Sequence, residues 1–148
     1  MNKQFKADLE VGQKYEVLAQ EKIIKYYGNI YEVVEVCDDF KYDFMLSNDM
    51  TYEVKFERCS LKTNNVFIEF IAFNKISGIQ QTKADYYIIV LPVNAIENQF
   101  VLIEVEVLKT LISKKKYSRI HTDKFKSGYI FPKNIIISYG IIINNKSI

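Results

Sequence analysis

Two periods of apolar residues divide the chain. From Leu9 to about Tyr27 they recur at helical spacing, with Asp8 placed as an N-cap and Gly28-Asn29 as a stop, which predicts one amphipathic helix. Val11, Tyr15, Leu18, Ala19, Ile23 and Tyr26 share its apolar face. Glu10, Lys14, Glu21 and Lys25 share the opposite face as two i,i+4 pairs on water. Glu16 falls at the edge of the stripe. A carboxylate there either reaches back into solvent or is aimed toward the sheet, where it needs a cation to meet it.

Past the helix the period becomes that of strands. Residues 30–37, 40–46, 50–58 and 66–74 alternate or run rich in aromatic and β-branched side chains, separated by Asp38-Asp39, Ser47-Asn48-Asp49 and Thr63-Asn64-Asn65. They predict a meander of four strands. Residues 77–85, SGIQQTKAD, are polar with a short helix, and YYIIVLPV at 86–93 is a strand buried on both faces and stopped by Pro92. QFVLIEV predicts another strand and EVLKTLISKKK a helix over about 104–115; the remaining KYSRIHTDKFKSGYIFPKNIIISYGIII mixes turns and strands. Without repeats or a low-complexity linker, this order predicts one domain over residues 1–148. Its class is α/β, with a mixed central sheet flanked by helices.

The longest apolar run, IIISYGIII at 135–143, is far too short to cross a bilayer, so a soluble, cytoplasmic chain without a membrane partner is expected. Cys37 and Cys59 lack metal-ligand spacing and the chain has one His, so a zinc site or disulfide framework has little support; both thiols are expected reduced and packed. The net charge of +2 hides an asymmetry: residues 1–106 hold 11 Lys and Arg against 17 Asp and Glu, and residues 107–148 hold 9 against 1. Lys114, Lys115, Lys116, Arg119, Lys124, Lys126 and Lys133 make the last third basic. Such a cluster is commonly a solvated face; beside a site that processes a polyanion it becomes a phosphate track.

The candidate chemistry lies in KYDFMLSNDMTYEVKFER, residues 41–58. Side chains two apart on a strand share a face, so Glu53, Lys55 and Glu57 oppose Tyr52, Val54 and Phe56, and Asp43 opposes Tyr42 and Phe44. A three-residue loop, Ser47-Asn48-Asp49, pairs Leu46 with Met50 and sets Asp43 across from Glu53; a two-residue loop would turn Asp43 to the wrong face. Facing carboxylates repel, and a divalent cation such as Mg²⁺ or Mn²⁺ relieves them. Lys55 can then reach the metal's hydration shell beside a phosphate. Taken alone, three such charges are more often a solvated face with a local Glu/Lys ion pair.

The wider pattern, DLEVGQKYE in the helix, YDFMLSNDMTYEVK in the hairpin, NNVFIEF in the next strand and SGIQQTKADYYIIV after it, resembles the PD-(D/E)XK nuclease superfamily. In particular it resembles the small single-domain, Holliday-junction-resolvase-like nucleases of phages and large viruses. The resemblance covers roughly residues 8–92 and implies a restriction-endonuclease-like core (αβββαβ). It implies a metal-dependent nuclease that hydrolyses DNA phosphodiester bonds. Asp43 and Glu53 match the metal-binding acids, the carbonyl of Val54 a backbone ligand and Lys55 the motif lysine. Glu16 matches the acid that many members carry on the first helix, and Glu69 is a weaker candidate as a supporting group or metal-water ligand. Tyr42 stands where the motif has proline.

Gln80, Gln81, Thr82 and Lys83 read either as phosphate contacts at a helix start or as a polar turn capped by Thr82, and the resemblance favours the first. With Lys114, Lys115, Lys116 and Arg119 they make the expected DNA-binding set, and a resolvase-like role implies a two-fold dimer. The alternative is a non-catalytic nucleic-acid-binding or protein-interaction module of the same fold, or an unrelated interaction domain.

Overall fold

The computed structural model describes residues 3–37 and 39–144; of the predicted Asp38-Asp39 turn, Asp38 lies outside these. Helix α1 (Lys3–Tyr26) is followed by strands β1 (Val33–Val36), β2 (Phe44–Leu46) and β3 (Thr51–Phe56), and by a single helical turn α2 (Ser60–Thr63). Strands β4 (Asn65–Ala72) and β5 (Lys75–Ile76) then lead through a 3-10 turn over Gly78–Gln80 to β6 (Tyr86–Pro92) and β7 (Asn98–Glu104). The chain closes with α3 (Val105–Lys114), β8 (Arg119–Thr122), β9 (Lys126–Pro132), α4 (Lys133–Tyr139) and β10 (Ile141–Ile142).

The strands make two sheets, one in the order β1-β2-β3-β6-β7-β10 and one in the order β5-β4-β9-β8. In the first, β3 runs parallel to β6 and the other neighbours are antiparallel, so the molecule is α/β with a mixed central sheet flanked by helices. Strand β6 lacks alternation because both of its faces are covered. Tyr87, Ile89 and Leu91 join Val66, Ile68 and Phe131 of the second sheet and Leu108 and Leu111 of α3 in one core. Ile88 and Val90 join Ala19 and Ile23 of α1 in another.

Helix α1 has the predicted faces, with Ala19 and Ile23 fully buried and Glu10, Lys14, Glu21 and Lys25 exposed. Its start differs. The helix begins five residues before Asp8, which is therefore no N-cap and instead pairs with Arg58 across 3.4 Å. At the other end Gly28 and Asn29 take positive φ and donate their N–H groups to the carbonyls of Lys25 and Ile24.

The meander holds for three strands and fails for the fourth. Strand β4 leaves for the second sheet, where Val66 pairs with Phe131 of β9. The position beside β3 goes to β6, whose continuous apolar run needs cover on both faces. The thiols also differ from expectation: Cys59 is exposed and Cys37 half-buried, both free, so neither is a core residue. Among the described residues no helix is long and apolar enough to cross a membrane.

Candidate active site

Phe44 pairs with Tyr52 and Met45 with Thr51, and the Leu46 N–H donates to the Met50 carbonyl at 3.0 Å, so the loop is Ser47-Asn48-Asp49. Asp49 closes it at a φ of 66°. This register sends the stacked rings of Phe44 and Tyr52 into the α1 core and leaves Asp43 and Glu53 on the other face. The β2 ladder ends at Phe44. Beyond it the Asp43 N–H donates to the Tyr52 carbonyl at 2.8 Å and the Asp43 carboxylate accepts the Val54 N–H at 2.7 Å. Asp43 is thus tied to the residues on both sides of Glu53.

The Glu53 side chain is only 15% exposed. One oxygen lies 3.3 Å from the Lys55 ammonium, and the other, Oε2, is buried without a hydrogen-bond partner. Burial pushes the Glu53 carboxyl up to about 7, Lys55 opposing and Asp43 reinforcing the shift. Burial also raises Asp43, against the Val54 N–H and the Lys55 charge. One ammonium therefore serves two desolvated carboxyl groups, which is less compensation than they need.

Glu16 faces the sheet side. With Gln13, Gln20, Cys37 and Asp39 it lines a cleft of about 490 Å³ whose wall includes Asp43, while Glu53 and Lys55 lie outside that cleft. Glu69 lies on β4, 24% exposed and 3.6 Å from the Lys126 ammonium. Glu53, Glu69 and Asp43 all act on the buried Tyr87 phenol, which burial holds above its ordinary range. Among the described residues, however, no three His, Cys, Asp or Glu side chains stand close enough to hold a metal ion by themselves.

The segment after β5 corrects one expectation. The 3-10 turn ends at Gln80, so Gln81, Thr82 and Lys83 follow it instead of opening a helix. The N–H groups of Gln80, Gln81, Thr82 and Lys83 already donate to Ser77, Gly78, Gly78 and Lys41 carbonyls. Thr82 is buried, its hydroxyl donating to the Lys41 carbonyl and accepting the Ala84 N–H, so it caps no helix and its hydroxyl is already engaged. What the segment does is brace Lys41, two residues before Asp43. Gln80 and Lys83 keep exposed side chains.

The basic segment divides. Lys114, Lys115 and Lys116 are exposed at the end of α3, where Lys114 shares a pocket with Glu106 and Tyr139. Arg119 belongs to a different cleft of about 410 Å³, with Glu57, Phe67, His121 and Lys126. Glu57 is the residue to which the sequence assigned no role. It continues the Glu53-Lys55 face, accepts the Phe67 N–H at 3.3 Å and is raised by burial to about 7, against Phe67, Lys55 and Lys126. The Glu-x-Lys-x-Glu period carried that signal.

Comparison of the chain with protein-family models, with curated proteins and with solved structures gives no match.

Proposed function

We propose that the protein is a divalent-metal-dependent deoxyribonuclease that hydrolyses DNA phosphodiester bonds, built on a variant of the PD-(D/E)XK core. The carrying observation is the convergence of Asp43, Glu53 and Lys55 on one face of the β2–β3 hairpin, with a buried Glu53 oxygen lacking any partner. Helix α1, the three-stranded meander and a parallel β6 beside β3 follow the order of that core. Here the segment between β3 and β6 is a hairpin and a 3-10 turn instead of a long helix.

The donor set suits a hard cation. Mg²⁺ commonly takes one or two carboxylates and completes its shell with water and substrate phosphate, so two acids suffice. Asp43 and Glu53 would hold it. In an antiparallel ladder a residue's N–H and C=O face the same neighbour, so the Val54 carbonyl belongs to the Asp43 edge as well. When bound, such an ion supplies a water of lowered pKa and a polarised phosphoryl oxygen. Lys55 would orient the attacking water and oppose the negative charge that grows on the phosphate. Glu16, which shares a cleft with Asp43 but not with Glu53, would act through solvent on the Asp43 side.

A second reading, a non-catalytic nucleic-acid-binding module, draws on the absence of a three-ligand cluster among the described residues. One experiment separates the two. Plasmid, linear, single-stranded and branched DNA are incubated with the protein in Mg²⁺, Mn²⁺ or EDTA, beside Asp43→Ala and Lys55→Ala. Metal-dependent cutting abolished by Asp43→Ala and strongly reduced by Lys55→Ala is the expected outcome. Binding that survives in every protein with no cutting in any would establish the module instead.

A further inference from the structure

The cleft around Arg119 has a construction of its own. Across the second sheet Phe67 of β4, Ile130 of β9 and Arg119 of β8 pair in one row, and Glu69, Gly128 and His121 pair in the next. Residues in such rows share a face, here the one opposite Val66, Ile68 and Phe131, which are buried in the core. Gly128 leaves room for the Phe67 ring: a Cβ there would stand 2.4 Å from that ring. Phe67 lies across the gap toward His121, the two rings edge to face at 6.3 Å. The Asp123 carboxylate accepts the Phe125 and Lys126 N–H groups at 2.8 Å each, fixing the turn that sets Lys126, paired with Glu69, at the other end of the β8–β9 ladder from Arg119, in the wall of the same cleft.

The result is an apolar aromatic floor with Arg119 and Lys126 on its rim, where Glu57 and Asp123 also stand, each carboxylate engaged by backbone N–H groups. Arg119 and His121 are exposed, and Arg119 has no ion pair among the described residues. At about 410 Å³ the cleft lies within the size range of small-molecule sites. Its wall also points toward the candidate active site, because Glu57 continues the Glu53-Lys55 face and feels both Lys55 and Lys126. Glu53 and Glu57 are four residues apart, about 13 Å along a strand.

We infer that this cleft binds one nucleoside-phosphate unit, its base against Phe67 and His121 and its phosphate at Arg119, with Lys126 on the opposite rim. Resting on the nuclease reading, it takes an unpaired nucleotide of the strand whose scissile phosphate lies at Asp43 and Glu53. A flat π-face and a cationic rim accept any base, which suits a strand held without sequence readout. A paired base would not reach the floor.

The test is made in EDTA, where cutting plays no part. Fluorescence anisotropy is measured with a labelled single-stranded oligodeoxynucleotide and with a labelled duplex, using wild type, Arg119→Ala and His121→Ala, with thermal melts to show that both variants are folded. Wild type is expected to prefer the single strand, and each variant to weaken that binding about tenfold, in the range for one lost stacking or phosphate contact. The salt dependence separates the roles: Arg119→Ala lowers the slope by about 1, while His121→Ala at pH 8 leaves it unchanged. Competition by a free mononucleotide distinguishes a soluble nucleotide from a strand as the source. Equal binding by wild type and both variants, or no binding of strand or mononucleotide by wild type, overturns the inference. Wild type that binds as expected and cuts nothing in Mg²⁺ removes the nuclease reading and leaves the cleft.

Discussion

The two ends of the β3 polar face differ in how they are charged and in how they are held. At the Asp43 and Glu53 end, both carboxyl groups are desolvated and short of positive charge, Asp43 fixed by the Val54 N–H and Glu53 held by Lys55 alone among the described residues. At the Glu57 end, the second sheet adds exposed cations beside an aromatic floor, and among the described residues no side-chain polar atom of the cleft is buried without a partner. The first arrangement suits holding a small hard ion in one place, and the second suits holding a flexible polyanion loosely. A side chain that must position charge is rigid and costs stability, whereas one that must collect charge can stay in water at little cost.

Substitutions should separate the ends. The largest effect is expected from Asp43→Ala, which should abolish cutting while leaving the metal-free affinity for single-stranded DNA unchanged; a gel assay and anisotropy read the two. Lys55→Ala should lower the cutting rate by about 10²–10³-fold, as for loss of one group facing transition-state charge. If Arg119→Ala slowed a single-turnover reaction at saturating DNA as much as Lys55→Ala does, the division between the ends would fail.

Gly78 tests whether the two sheets are one mechanical unit. It sits at a φ of 50°, and an added Cβ would stand 2.1 Å from the Glu69 carbonyl oxygen, a backbone atom that cannot swing aside. Gly78→Ala should therefore destabilise the fold by about 2–4 kcal/mol in urea titrations.

A smaller effect concerns pH. The Glu57 carboxyl is raised from 4.5 to about 7 in the folded protein, so the folded state holds that proton more tightly than the unfolded chain. Its contribution to stability is full below pH 4.5 and is lost as pH rises through 7. Glu57→Gln should match wild type near pH 4.5 and exceed it at pH 8 by on the order of 1–3 kcal/mol, measured by urea unfolding in EDTA. The smallest change is expected from replacing Lys114, Lys115 and Lys116 together by alanine. Exposed on α3 and lining another pocket, they should shift single-strand affinity less than Arg119→Ala alone.

The sequence made local features legible and distant ones opaque. The face of α1, the three-residue hairpin loop and the doubly buried β6 each follow from patterns within a few residues, and the structure has all three. The Asp43-Glu53 geometry depends only on that loop, so it too could be read. The partner of β4 could not. Val66 meets Phe131, and no local period announces which distant strand a solitary apolar run will choose. Thr82 failed for a related reason: its hydroxyl is satisfied by Lys41 from another part of the chain. Glu57, by contrast, was visible in the alternation but drew no role, since its meaning depends on Arg119 and Lys126 arriving beside it.

The late pairing of β4 also bears on birth order at the ribosome. Residues of the β2–β3 hairpin can find each other as soon as they emerge, and β5 soon covers the tip of β4, but the long edge of β4 must wait for β9, about 60 residues further on, its ladder groups open meanwhile. A truncated chain ending before Lys126 would retain the acidic hairpin and expose a sticky margin, so release of incomplete product should favour clumping over partial activity.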